Sequence, residues 1–113
     1  MPTKKKKTAT KSSAVRFLED VAGGALTFGR LLAAIRLGEE SSQTEFAKSL
    51  GISKAHLCDI EKDRRGVSAL RASEWARKLG YDAEQFIELA VQSDLLKNGL
   101  NYSVKIKPIK KVS

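Results

Sequence analysis

The amino-acid sequence predicts an all-α domain of five helices, with a short extra helix before them and a single β-strand after them. Three observations lead there. Apolar residues recur at three- and four-residue spacing in five successive stretches between residues 27 and 98. A serine, threonine or aspartate suited to capping stands before each stretch, and glycines at 51, 80 and 99 follow three of them. Strand-like alternation occurs only near the end, where Tyr102, Val104 and Ile106 point one way and Ser103, Lys105 and Lys107 the other.

Residues 1–13 hold five lysines, no acid and almost nothing to bury, so a disordered basic arm is expected. Residues 14–98 read as the helical domain. Within it, Val15, Leu18 and Ala22 share one side of a short extra helix that Gly23 and Gly24 end. Thr27 caps the first helix of the bundle, where Phe28, Leu31, Leu32 and Ile35 form one stripe with Arg36 at its end. Ser42 and Glu45 are spaced as a capping box, so a second helix starts at Gln43 and carries Phe46, Ala47 and Leu50. Gly51 supplies the left-handed residue for a tight exit. Ser53 caps the third helix, which turns Leu57 and Ile60 inward. Lys54, Ala55, His56 and Asp59 are then left on its outer face.

A loop, residues 62–68, places Arg64 and Arg65 beside Gly66. Ser68 caps the fourth helix, with Leu70, Ala72, Trp75, Ala76 and Leu79 as its buried face. At that spacing Trp75 reads as core and not as a stacking platform. Asp82 and Gln85 suggest a second capping box for the fifth helix, which is apolar over more than one face. A second copy of the chain is the simplest partner for the surplus, and Phe86, Val91 and Leu95 are the residues expected to meet it. Residues 99–113 read as a strand and basic tail. A lone strand leaves backbone groups unpaired, so Tyr102, Val104 and Ile106 are expected to join the same dimer interface.

Composition narrows the function. The 113 residues carry a formal charge of +8, yet ten of the 21 Lys and Arg lie in 1–13 and 97–113, leaving 11 against 13 acids between 14 and 96, a net of −2. Charge in bulk therefore does not mark the binding surface, and the domain must place its few cations selectively. The apolar runs are too short to span a membrane, and no apolar core follows Lys4–Lys7 to make a secretory signal. Cys58 is the single cysteine, which excludes an internal disulfide and suits a reducing cytoplasm. His56 is the single histidine, and Cys58, two residues on, points away from it on a helix. Neither a metal site nor a nucleophile pair follows, no glycine-rich phosphate loop is present, and no cofactor is called for. An enzyme is not expected.

Two short helices joined through a glycine corner form a helix-turn-helix. The stretch around it resembles the DNA-binding unit of phage repressors and Cro, the XRE family, with Arg36, Gln43, Phe46, Ala47, Gly51, Ile52, Ser53, Leu57, Ile60 and Glu61 as matching residues. The likeness covers residues 27–80, with the helix-turn-helix at about 43–62. It implies a lambda-repressor-like fold in which Arg36 pairs with Glu61 and ties the first helix to the third. The chain departs from the family at Glu40 and Ser41, where a glycine and an apolar residue are usual, so a looser approach to the second helix is expected.

For function the resemblance implies sequence-specific binding of double-stranded DNA. Ser53, Lys54 and Ala55 would meet base edges, with Lys54 donating to guanine and Ala55 touching a thymine methyl. Asp59 would accept from cytosine or exclude wrong sequences. Gln43 and Thr44 would hold a phosphate at the start of the second helix, and His56 would touch phosphate or solvent. Arg64 and Arg65 would lie along the backbone, a solvated charge pair being the plainer alternative. The implied protein is a homodimeric repressor on a palindromic operator. Similarity to antitoxins of the HigA or HipB sort adds autoregulation and a cognate toxin as partner. A stand-alone phage-type repressor, or a protein-binding adaptor built on the same fold, remain open beside it.

Overall fold

A computed structural model describes residues 26–109; the expected basic arm 1–13, the extra helix at 14–22 and residues 110–113 lie outside the described part. Five helices follow one another: α1 (Phe28–Gly38), α2 (Gln43–Leu50), α3 (Lys54–Glu61), α4 (Ala69–Leu79) and α5 (Ala83–Lys97). Four of them start as the sequence predicts. Thr27, Ser42, Ser53 and Ser68 each adopt an extended backbone and accept a hydrogen bond from the amide three residues on, which satisfies one otherwise orphan donor. At Ser42 the full capping box is present, since Glu45 also accepts from the Ser42 amide. Asp82 is different. It stands at the N-cap of α5, but its side chain makes no capping bond, so the second expected capping box is absent.

The core is one cluster. Phe28, Leu31, Leu32 and Ile35 of α1 meet Phe46, Ala47 and Leu50 of α2, Leu57 and Ile60 of α3, Ala72, Trp75 and Ala76 of α4, and Phe86 and Ala90 of α5. Leu26, just before α1, is buried with them. Leu70, expected on the buried face of α4, is instead 70% exposed. Two residues after the cap, it falls on the side of the helix opposite Ala72 and Ala76.

Phe86 is the larger correction. It was expected at a dimer surface, yet it is 1% exposed, edge-on to Phe28 with ring centroids 5.4 Å apart and stacked on Tyr81 at 5.7 Å. An aromatic ring so enclosed belongs to the fold of one chain. Val91 and Leu95 are half-buried, and Leu96 beside them is exposed.

Close approach of α1 to α3 depends on Gly29. A Cβ there would collide with the carbonyl oxygen of Ile60 and lie 2.7 Å from Asp63 Oδ1. At the α1–α2 corner Glu40 takes a φ of 56°, the left-handed region that favours glycine, so the departure noted at this position carries backbone strain. The corner is nevertheless tied down. The Ser41 amide donates to the Arg36 carbonyl, and Arg36 Nη1 donates back to the Ser41 carbonyl at 3.1 Å. The looser approach expected from the sequence is thus offset by Arg36.

Residues 102–107 form no strand ladder among the described residues. The segment runs extended back along α5 and is held by side chains. Gln92 donates from Nε2 to the Tyr102 carbonyl at 2.7 Å and accepts from the Val104 amide at 2.8 Å, while Glu88 accepts from the Ile106 amide at 3.0 Å. A glutamine amide can stand in for one residue of a neighbouring strand, offering a donor and an acceptor side by side. Val104 and Ile106 are half-buried, but Tyr102 is exposed.

Candidate nucleic-acid interface

The α2–turn–α3 unit is closed by Gly51, whose φ of 77° lets its amide and that of Ile52 return to carbonyls at the end of α2. Ala47 is buried at the corner. With Leu57 fully enclosed and Ile60 1% exposed, α3 can present only its other side. Ser53, Lys54 and Ala55 are exposed there, at the N-terminal end of the helix, and His56, Cys58 and Asp59 are partly exposed.

Arg36 fixes the pitch of α3. Its Nε donates to Glu61 Oε2 at 2.7 Å and its Nη2 to Glu61 Oε1 at 3.0 Å, a two-pronged pair whose side chains are only 14% and 6% exposed. The bonds that Arg36 donates to Glu61 raise the Arg36 pKa, against the opposing effect of burial. Gln43 completes the group, donating from Nε2 to Glu61 Oε1 at 2.9 Å. The side-chain amide expected to reach a phosphate is thereby turned inward, toward the ion pair. Its backbone amide remains in the first turn of α2, beside exposed Thr44.

Asp59 and Arg64, read separately in the sequence, are joined in the structure. Arg64 Nη2 and Nε donate to Asp59 Oδ1 at 2.9 and 3.1 Å, and this pairing raises the Arg64 pKa. Both bonds fall on one carboxylate oxygen, and the two side chains stay 57% and 39% exposed. The pair helps set the direction of the loop after α3, whose start is further held by the Arg64 amide on the Asp59 carbonyl and by Lys97 Nζ on the Arg64 carbonyl. Arg65 extends free of any ion pair among the described residues.

One residue of this surface was missed. Arg71, in the first turn of α4, lies across the loop from His56 and Arg65, its guanidinium carbon 5.6 Å from the centre of the Trp75 ring. The only sequence signal was its place three residues after a capping serine. His56 titrates below its ordinary value, first because of burial and then because Arg65 and Arg71 are near, while Asp59 opposes the shift.

Among the described residues no group of three or more His, Cys, Asp and Glu gathers to hold a metal ion, and no helix is long and apolar enough to cross a membrane. Comparison with curated proteins and with solved structures returned no match. A family comparison did: residues 32–86, from the middle of α1 to the start of α5, match the family described as helix-turn-helix, HTH_3. Over these residues the chain is similar to the XRE-type helix-turn-helix family, which supports a DNA-binding transcription regulator.

Proposed function

We propose that the protein is a homodimeric repressor that reads a palindromic operator by placing α3 of each copy in successive major grooves, about one helical turn apart. The observation carrying this reading is the division of α3: Leu57 and Ile60 are enclosed while Ser53, Lys54 and Ala55 stand exposed at its N-terminal end, the end that meets base edges in this docking mode. The backbone amides at the start of α2, with Thr44, and the side chain of Arg65 supply phosphate contacts that set register without reading sequence. Lys54 reads bases. Asp59 orients Arg64 toward the backbone and takes no base contact of its own.

The dimer surface in this reading is the outer side of α5 with the segment after it: Val91, Leu95, Leu96, Tyr102, Val104 and Ile106, without Phe86. The latch by Gln92 and Glu88 occupies one edge of the extended segment and leaves its other edge for the same segment of a second copy. The narrower role of autoregulating antitoxin with a cognate toxin rests on the family resemblance, and a small toxin-like neighbouring reading frame would support it over a stand-alone repressor.

Binding to the DNA upstream of its own reading frame, compared with random duplex at several salt concentrations, tests the main reading. A repressor shows a preference that Lys54→Ala removes, while Arg65→Ala weakens both duplexes alike and flattens the salt dependence. Equal, weak and strongly salt-sensitive binding to both would instead mark an adaptor that uses the fold as a scaffold.

A further inference from the structure

Between α3, the loop after it and α4 lies a recess of about 430 Å³ lined by His56, Arg65, Gly66, Val67, Ser68, Leu70, Arg71 and Glu74. Three basic side chains from three different elements converge on it, in a helical domain whose net charge is slightly negative. Neither Arg65 nor Arg71 forms an ion pair among the described residues, and Trp75 steadies the Arg71 guanidinium from below. The first turn of α4, capped by Ser68, adds the positive end of an eleven-residue helix.

We propose that His56, Arg65 and Arg71 form a seat for one phosphate of a nucleic-acid backbone. The seat rests on the DNA-binding reading above and gives it a regulation the family resemblance does not supply. In the free protein partial burial, and after it the two arginines, lower the His56 pKa and so disfavour the imidazolium. Asp59, on the same helix, opposes them, and Glu74, on α4, is the carboxylate that lines the recess. A seated phosphate reverses the balance by bringing a negative charge between the two guanidiniums and the imidazole, which favours the imidazolium. Binding therefore takes up a proton at His56, and affinity rises as pH falls. Glu74 is the one carboxylate lining the recess, so it competes with the phosphate for Arg71.

His56 is the only histidine of the chain, so its ring resonances report on the seat without assignment. The full chain is titrated by NMR between about pH 5.5 and pH 7.5 alone, with a short duplex of arbitrary sequence, and with inorganic phosphate. The expected result is a rise of the His56 pKa with the duplex, and an affinity for duplex that increases by about threefold to tenfold across that range. His56→Gln removes the pH dependence. Arg71→Gln lowers the slope of log affinity against log salt by about 0.9, one phosphate contact, and abolishes the effect on His56. Glu74→Gln tightens binding.

Duplex binding that leaves the His56 pKa unchanged, or an undiminished response in Arg71→Gln, overturns the seat and leaves DNA binding standing. A His56 response to inorganic phosphate that is lost in Arg71→Gln, with no duplex bound, upholds an anion seat and overturns the DNA reading instead. Silence toward both probes overturns both.

Discussion

The α2–turn–α3 unit and the segment that follows α5 have their conformations decided by different means. In the first, the decisive partners lie within a few residues: Ser42 with Glu45, Gly51 with the carbonyls of the turn before it, Ser53 with the amide of His56. In the second, Tyr102, Val104 and Ile106 owe their path to Gln92 and Glu88, ten or more residues away on a helix. Alternating apolar residues specify an extended chain in either of two cases, a strand in a ladder and a segment latched by side chains. The difference between them is who supplies the hydrogen bonds.

The contrast can be broken most forcefully at Phe86. If it belongs to the core, Phe86→Ala costs about 3–5 kcal/mol of folding stability, read by denaturant unfolding and independent of protein concentration. A loss seen only as weaker self-association would return it to a dimer surface. Next comes the tie between α1 and α3. Glu61→Ala leaves the guanidinium of Arg36 enclosed without its carboxylate and is expected to cost about 3 kcal/mol, with a smaller added loss when Arg36→Ala is combined with it. Additive losses from the two would mean that the pair is not coupled.

A smaller effect, of opposite sign, is expected at the α1–α2 corner. Glu40→Gly removes the left-handed strain and should stabilise by about 1 kcal/mol, seen as a higher melting temperature. A neutral or destabilising result would mean that other interactions of Glu40 outweigh its backbone cost. Least is expected from Gln92→Ala, under about 1 kcal/mol. Its signature is local: faster hydrogen exchange at the Val104 amide with the rest of the domain unchanged. Unfolding of α5 in this variant would show that the segment supports the bundle and is more than latched to it.

These outcomes bear on how far a sequence can be read. Helix starts at Gln43 and Lys54 were legible because a cap is a contact between residues three apart, and the inward turn of Leu57 and Ile60 because one helical turn separates them. Leu70 shows the limit of the same rule. Its place on an apolar-looking stripe did not tell which arc of α4 faces the core, and Trp75 with Ala72 and Ala76 decided that. At the candidate interface, Lys54 and Ala55 were placed correctly on the outer face. The engagement of Asp59 with Arg64, and of Gln43 with Glu61, escaped because charge and amide groups choose partners by distance in space.

From the order of residues alone came the five described helices, the caps of four of them, the glycine corner, the enclosed side of α3 and the likeness to one family. Those features depend on backbone geometry within one or two turns. Where Phe86 goes, how Gln43 and Asp59 are occupied, and the meeting of Arg71 with His56 and Arg65 were settled only when the helices packed. Each of these depends on groups far apart in the chain, whose hydrogen bonds and fields act over a few ångströms of space whatever their separation in sequence.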